Sequence, residues 1–157
     1  MLQSVIKKTF DYKDGNLYWK HHDYFPKLIG KKAGSKQGKY FRVQFKGKTY
    51  LLHRLIFCMF NGYIPKQVDH IFGYSNDINN LRDANESTNQ QNVGLIKRNK
   101  SGFKNVHWNK QNKKWIIQLH INKKIKHIGG FDDIELADLV ATMAREKYHG
   151  QFANHGR

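Results

Sequence analysis

Short alternating segments joined by turn-forming pairs constrain the fold of this 157-residue chain more than any other feature. Apolar and polar residues alternate over residues 10–20, around Asp14-Gly15, and over residues 39–52, around Lys46-Gly47. An Asp-Gly pair accepts the positive φ angles of a tight hairpin turn, and alternation is the period of a strand with one buried face. The two faces of the second segment differ in polarity: Phe41, Val43 and Phe45 on one, Tyr40, Arg42 and Gln44 on the other. We therefore predict two antiparallel hairpins in this region.

Helices are predicted where apolar residues recur with helical spacing. Residues 51–60 carry such a stripe and end at Asn61-Gly62, a pair that commonly stops a helix. Residues 86–92 are expected to form a short helix. Strands are predicted at 103–108, 113–121 and 124–129, before a helix that Asp132 or Asp133 caps. The stripe of that helix should pack on the three strands: Ala137, Val140, Ala141, Ala144 and Tyr148. Together these elements predict the α+β class.

Charge is unevenly distributed along the chain, whose formal net charge is +16. Residues 1–50 carry 12 Lys and Arg against 3 acids, residues 51–96 carry 3 against 4, and residues 97–157 carry 13 against 5. Such a basic balance favours a polyanion partner, usually nucleic acid. Two basic arms around a near-neutral middle suit a DNA enzyme, because gripping phosphates and holding a metal have opposite charge requirements.

Several classes of protein are excluded by what the sequence lacks. No apolar run reaches the ~18 residues that cross a bilayer, and Lys7 and Lys8 interrupt any signal-peptide core. Cys58 is the single cysteine, which excludes an intramolecular disulfide and a multi-cysteine zinc site. We therefore expect no membrane partner and a cytoplasmic location, which is the host cytoplasm if a phage encodes the chain.

The near-neutral middle carries the clearest chemistry. It contains Val68-Asp69-His70-Ile71, then Asn79-Asn80-Leu81-Arg82, then Asn89-Gln90-Gln91-Asn92. Asp and Asn supply the oxygen ligands that Mg²⁺ prefers, and a neutral imidazole can accept a proton from water near neutral pH. Adjacent residues point to opposite faces of a regular strand, so we expect a strand end or a bend at the Asp-His pair.

This series of motifs resembles the HNH endonuclease family, in particular its H-N-N branch of phage and intron-encoded nucleases. The resemblance implies a central ββα-metal core in which Asp69 is a metal ligand and His70 the general base. It also implies that Asn80 is the central Asn, which braces the loop and orients the base, and that Asn89 is a second metal ligand. The implied cofactor is one Mg²⁺ or Mn²⁺ ion per active site.

Three further assignments accompany this resemblance. Asn79 is the alternative to Asn80, and Asn92 is the alternative to Asn89 as the ligand. The upstream pair His53-Arg54 resembles a His-Arg pair found before the family's motif. It adds His53 to the catalytic group and makes Arg54 a phosphate contact or a support of the site.

Residues 101–150 resemble the plant ethylene-response-factor DNA-binding domain, through Ser-Gly-Phe-Lys-Asn-Val-His-Trp, Lys-Trp-Ile-Ile-Gln-Leu and Ile-Gly-Gly-Phe-Asp-Asp. The resemblance implies a three-stranded antiparallel sheet, packed on one helix, that lies in the ~12 Å wide major groove of DNA. By alternation, Trp115, Ile117, Leu119 and Ile121 should face the helix. The expected DNA contacts of this module are Lys104, His107, Asn109, Lys114, Gln118, His120, Lys126 and His127.

Residues 1–50 resemble, more weakly, the β-rich N-terminal lead of the same phage proteins, through Phe10-x-Tyr12, Gly15-x-Leu17-x-Trp19 and Gly38-x-Tyr40-x-x-Val43. Its expected phosphate contacts are Lys31, Lys32, Lys39 and Arg42. The predicted organisation is thus a basic lead at 1–50, a nuclease core at 51–96, a linker at 97–102 and a DNA-binding module at 103–157.

The expected activity is metal-dependent hydrolysis of double-stranded DNA, by a monomer or a homodimer, to 5′-phosphate and 3′-hydroxyl ends. The alternative is a non-catalytic, sequence-specific DNA-binding regulator that keeps the architecture. Intact Asp69, His70 and Asn89 argue against that alternative. A basic RNA-binding module is a third possibility, which rests on charge alone.

Overall fold

The computed structural model describes residues 2–156. Within them the chain is a mixed α+β protein with four α-helices and several small antiparallel sheets, which confirms the predicted class. The chain divides into two compact units, Met1–Asn85 and Glu86–Arg157. No helix of the described residues is long and apolar enough to cross a membrane.

The first unit contains two helices and three small sheets. Its elements in chain order are α1 (Leu2–Thr9), β1 (Phe10–Lys13), β2 (Asn16–Trp19), β3 (Ser35–Gln37), β4 (Tyr40–Phe45), β5 (Lys48–Leu51), α2 (Leu52–Asn61), β6 (Gln67–His70) and β7 (Leu81–Ala84). The sheets have the strand orders β1-β2, β3-β4-β5 and β6-β7. The prediction of α2 is confirmed, and Gly62 ends it with a left-handed φ of 87°.

Both predicted hairpins of the first unit form, and their turns have the expected geometry. Asp14 and Gly15 have φ of 48° and 72°, and Lys46 and Gly47 have the same pair of values. Two consecutive positive φ angles match the right-handed twist of the strands that such a turn connects. The turn residues therefore fix the register, in which Phe10 pairs with Trp19 and Phe45 with Lys48.

One hydrophobic core runs through the whole first unit. The buried side chains of α2, among them Leu52, Leu55 and Ile56, belong to the same cluster as Phe10 and Val43. The predicted division at residue 50 therefore lies within this core, and the first unit extends to Asn85. Hydrophobic patterning identifies the individual elements, but it does not tell which of their apolar faces meet.

The second unit is a three-stranded sheet packed on one long helix. It consists of α3 (Glu86–Gln91), β8 (Val106–Asn109), β9 (Lys114–Ile121), β10 (Lys124–Phe131) and α4 (Ile134–His149), with β9 central in the sheet. Asp133 caps α4 by accepting a hydrogen bond from the Leu136 backbone N–H at 2.6 Å. The predicted stripe of α4 packs against β8 and β9, as expected, in a core of Val106, Ile117, Leu119, Ala137, Ala141 and Ala144.

Candidate active site

The Asp-His pair lies at the end of a short hairpin in the first unit. β6 ends at His70, and the antiparallel register pairs Asp69 with Arg82 and His70 with Leu81. The loop between the two strands includes a 3₁₀ turn at Ile78–Asn80. The strand end that the sequence predicts at Asp69-His70 is therefore present, and the chain continues from β7 into α3.

Asp69 is buried and paired with a guanidinium group. Asp69 is 6% exposed. Its Oδ2 accepts hydrogen bonds from Arg82 Nε at 2.9 Å and from Arg82 Nη2 at 2.7 Å. Burying an isolated carboxylate is strongly unfavourable, and a charge-assisted pair of bonds to Arg compensates for it. The Arg82 guanidinium thus offsets part of the cost of burying the Asp69 side chain.

His70 is held by the side-chain amide of a loop residue. The residue is 9% exposed, and its Nε2 lies 2.9 Å from Asn76 Oδ1. Because an amide oxygen accepts hydrogen bonds, Nε2 carries the hydrogen and the lone pair of the neutral ring lies on Nδ1. The contact therefore sets the tautomer of the predicted base.

The Asn80 side chain braces the loop between β6 and β7. Its Nδ2 donates to the Phe72 and Ser75 carbonyl oxygens at 2.8 and 2.7 Å, and its Oδ1 accepts from the Phe72 N–H at 2.9 Å. The residue that orients His70 is Asn76, which the sequence reasoning missed. Asn76 lies between Ser75 and Asp77 in a stretch whose composition is that of an ordinary turn.

His53 packs against His70 and is neutral at physiological pH. Its ring centroid lies 5.0 Å from that of His70, and the residue is 5% exposed. Burial, followed by the charges of His70 and Arg54, lowers the pKa of His53 to about 4. Arg54, predicted as a phosphate contact or a support, donates from Nη2 to the Pro65 carbonyl oxygen at 2.9 Å. This bond makes it a support of the local fold.

Two tyrosines, Tyr40 and Tyr74, lie beside His70. The sequence did not lead us to assign either of them to the site. The Tyr40 ring is stacked with the His70 ring at 6.4 Å, and it lies 5.4 Å from the His53 ring. The Tyr74 ring lies 6.2 Å from His70, and both tyrosines are exposed. An exposed aromatic face of this kind can contact the sugar or base of a bound nucleotide. The position of Tyr40 on the same strand face as Arg42 is the sequence signal that could have identified it.

The loop that holds His70 is fastened to the first hairpin of the chain. Tyr12 Oη donates to Asp77 Oδ2 at 3.2 Å and accepts from the Ile78 N–H at 3.1 Å. Gly15 lies so close that a Cβ there would be 2.9 Å from the Asp77 backbone N and 3.0 Å from the Asn76 backbone carbon. Asp77 in turn accepts from the Asn79 N–H at 2.9 Å. The β1–β2 hairpin therefore fixes the path of the residues around Asn76.

The donors for a metal ion in the first unit are few. Residues 2–156 contain no group of three or more His, Cys, Asp and Glu side chains arranged to hold a metal ion. Asp69 nevertheless fits a hard cation, since Mg²⁺ is commonly bound by one or two carboxylates with waters and substrate phosphates. The predicted second ligand, Asn89, lies exposed on α3 of the second unit, and Asn92 follows that helix.

The expected phosphate contacts of the N-terminal lead are all on the surface. Lys31, Lys32, Lys39 and Arg42 are exposed. Arg42 projects from β4 on the face that also carries Tyr40, as the alternation predicted. The Lys32 ammonium lies over the Phe41 ring, 5.0 Å from its centroid.

In the second unit the strand register separates the expected DNA contacts into two groups. Residues paired directly across antiparallel strands point to the same face of a sheet. One face of the sheet turns away from α4. It carries the pairs His107 with Ile116, Asn109 with Lys114 and His127 with Gln118, and also His120, two residues after Gln118 on β9. That face is the one predicted to meet DNA.

Two expected contacts do not lie on this face. Lys126 pairs with Leu119, which is buried against α4, and its ammonium lies 4.2 Å from the centroid of Tyr148 on that helix. Lys104 donates to the Gln91 carbonyl oxygen at 2.8 Å, and burial, followed by the charge of Arg145, lowers the pKa of its ammonium to about 8. Both lysines have roles within the second unit.

The face of the sheet that turns away from α4 borders a cleft. A cleft of about 330 Å³ is lined on one side by His107, Gln118 and His120. Residues Val93 to Ile96 line it as well. The loop-like segment before β8 therefore borders the side chains that the resemblance assigns to DNA.

Comparison of the chain with protein-family models, with curated proteins and with solved structures finds no match.

Proposed function

We propose that this chain is a divalent-metal-dependent DNA endonuclease of the HNH type. The observation that carries the proposal is the buried Asp69-His70 pair at a strand end, with the His70 tautomer set by Asn76. A base with a fixed ring and a lone pair on a defined nitrogen is what proton abstraction from water requires. The exposed basic surfaces of both units supply the attraction for the DNA phosphates.

The proposed reaction begins with water and His70. Nδ1 of the neutral ring takes a proton from the water molecule, whose oxygen attacks phosphorus in line with the bond to the 3′ oxygen. That bond breaks, the departing oxygen takes a proton from solvent, and the products carry 5′-phosphate and 3′-hydroxyl ends. Asn76 retains its hydrogen bond to Nε2 throughout. His53 is neutral and adds no full charge beside the imidazolium that forms.

The proposed cofactor is one Mg²⁺ or Mn²⁺ ion, which Asp69 would hold. When bound, the ion supplies Lewis-acid stabilisation of the charge on the phosphate and the leaving oxygen. Arg82 holds Asp69 Oδ2 in one orientation through two hydrogen bonds. Asn89, with Asn92 as its alternative, remains the ligand predicted from the sequence.

The proposed substrate is double-stranded DNA. In the first unit, Lys31, Lys32, Lys39 and Arg42 are the candidates for phosphate contacts. In the second unit the outward face of the sheet is the candidate surface: His107, Asn109, Lys114, Gln118, His120 and His127. Contacts to phosphates position a protein on the duplex, whereas contacts to base edges give it specificity.

A plasmid assay tests the proposal. Supercoiled DNA is incubated with the purified protein and Mg²⁺, with EDTA, and with the His70→Ala variant, and the nicked and linear forms are separated by electrophoresis. Asn79→Ala is the matched control, because this exposed side chain lies in the same loop and the bonds that brace the loop are made by Asn80. The proposal requires cleavage by the wild type and the control alone. Equal behaviour of the wild type and His70→Ala would contradict it.

The second candidate is a DNA-binding protein without catalytic activity. The observation in its favour is the Asp69–Arg82 pair, since a carboxylate already compensated by a buried guanidinium can serve the fold alone. DNA binding without cleavage at any Mg²⁺ or Mn²⁺ concentration would select this candidate.

A further inference from the structure

The first unit contains a groove that is separate from the residues assigned to cleavage. Its volume is about 830 Å³, within the ~300–1,000 Å³ of typical ligand sites. Residues of α1, of the loop at 20–25, of β4 and of the β4–β5 turn line it. The lining residues do not include Asp69, His70, Asn76 or His53.

The groove is positively charged. Lys8, Lys32, Arg42 and Lys46 line it, and all four are exposed. Within residues 2–156 none of these cations takes part in an ion pair. The acid among the lining residues is Asp23, whose Oδ1 lies 2.9 Å from Nε2 of the neighbouring His21. The groove therefore attracts anions.

A fixed turn presents two aromatic rings at this groove. His22 Nδ1 accepts hydrogen bonds from the backbone N–H groups of Tyr24 at 3.3 Å and Phe25 at 3.1 Å. The His22 ring is itself packed between Trp19, at 4.6 Å, and Phe25, at 5.3 Å. Tyr24 is nevertheless 82% exposed. A large, mostly exposed ring on a turn whose backbone is hydrogen-bonded, beside cations that form no ion pair within residues 2–156, points to a ligand that has both a flat ring and negative charge.

We propose that this groove binds an unpaired nucleotide of a DNA strand. The base stacks on Tyr24, with Phe25 beside it, and the neighbouring phosphates lie against Arg42, Lys32 and Lys46. Stacking on aromatic side chains and a cationic track for the backbone are the two components of single-strand binding. A stacked duplex conceals the faces of its bases, so the platform selects single-stranded or frayed DNA. This site goes beyond the proposed cleavage and needs no catalytic residue.

The test measures fluorescence anisotropy of a labelled oligothymidine, in EDTA and in the His70→Ala background. Binding is thus read without cleavage, and a failure of the endonuclease proposal leaves the measurement intact. Tyr24→Ala should weaken binding about 5- to 150-fold, the range that alanine substitution produces at a stacked base. Tyr63→Ala is the matched control, since Tyr63 is an exposed tyrosine of the same unit outside the groove. Arg42→Gln should lower the slope of log affinity against log salt by about 0.7.

Three results would overturn the proposal. One is equal affinity of Tyr24→Ala and the wild type for the oligonucleotide. Another is a loss for Tyr24→Ala that is as large with a duplex or with heparin, which would reduce the groove to a charged patch. The third is displacement by free thymidine monophosphate at the concentration at which the oligonucleotide itself competes, because a site for a strand must gain from more than one phosphate. Circular dichroism of each variant establishes that it is folded.

Discussion

The bond from Asn76 to His70 leads to a prediction that separates orientation of the base from proton transfer. Asn76→Ala removes the acceptor at 2.9 Å from Nε2 and leaves the imidazole itself in place. A net contribution of about 0.5–1.5 kcal/mol is typical of one neutral hydrogen bond. That range corresponds to about a 2- to 13-fold change in the share of rings with the productive tautomer and orientation. The rate of cleavage should fall by the same factor.

The size of the effect distinguishes orientation from catalysis. Removing a general base lowers a rate by about 10²–10⁴-fold, so Asn76→Ala should cleave DNA clearly faster than His70→Ala, although more slowly than the wild type. Asn79→Ala, in the same loop but exposed, should behave as the wild type.

Two measurements check this prediction. Single-turnover cleavage with enzyme in excess over DNA reports the chemical step, and ¹⁵N NMR of the His70 ring reports its tautomer. We expect a lowered rate in Asn76→Ala together with loss of a single dominant Nε2–H form of the His70 ring. A wild-type rate and an unchanged tautomer in Asn76→Ala would refute the reasoning. A rate as low as that of His70→Ala would also refute it, because Asn76 would then act beyond orientation.

Four further predictions follow from single contacts and from charge. Arg82→Met should destabilise the protein by about 3–5 kcal/mol in urea unfolding, since it breaks the buried ion pair by removing the guanidinium that bonds Asp69 Oδ2; a double variant with Asp69→Leu should recover most of the loss. Gly15→Ala should lower both the melting temperature and the cleavage rate more than Gly47→Ala does. Both glycines have φ of 72°, so the backbone strain of the two substitutions is similar. A Cβ at Gly47 meets nothing within 4 Å, whereas a Cβ at Gly15 meets the Asp77 backbone. Equal losses in the two variants would contradict a role for this contact. The His53 ring should titrate near pH 4 by NMR, and because the unfolded ring titrates near 6.5, stability should fall as the pH drops from 6.5 towards 4; a midpoint near 6.5 in the folded protein would contradict this burial. DNA affinity should fall steeply with salt concentration, and an affinity independent of salt would exclude phosphate contacts as its source.

Local signals in the sequence were sufficient to predict most of the secondary structure. Asp14-Gly15 and Lys46-Gly47 adopt positive φ within their own four-residue turns, so no distant contact is needed to place these hairpins. The same holds for α4, where Asp133 and the alanine stripe act within one element and its neighbours. Such features depend on residues that are close in sequence.

Features that depend on distant contacts could not be predicted. Asn76 reaches His70 because Tyr12 and Gly15 of the first hairpin fix its loop, a relation between residues more than 60 positions apart. Likewise, the face of Lys126 follows from its pairing with Leu119, which the hairpin register decides. The boundary at residue 85 reflects a core shared by elements that each look independent in the sequence.

The most direct test of the central claim compares the rate of DNA cleavage with and without the proposed general base, His70. Supercoiled plasmid is converted under single-turnover conditions, at saturating Mg²⁺, by the wild type, by His70→Gln and by the control Asn79→Ala. The account predicts cleavage by the wild type and the control that EDTA abolishes, and a rate at least about 100-fold lower for His70→Gln. Equal rates for all three proteins, or cleavage that persists in EDTA, would contradict it.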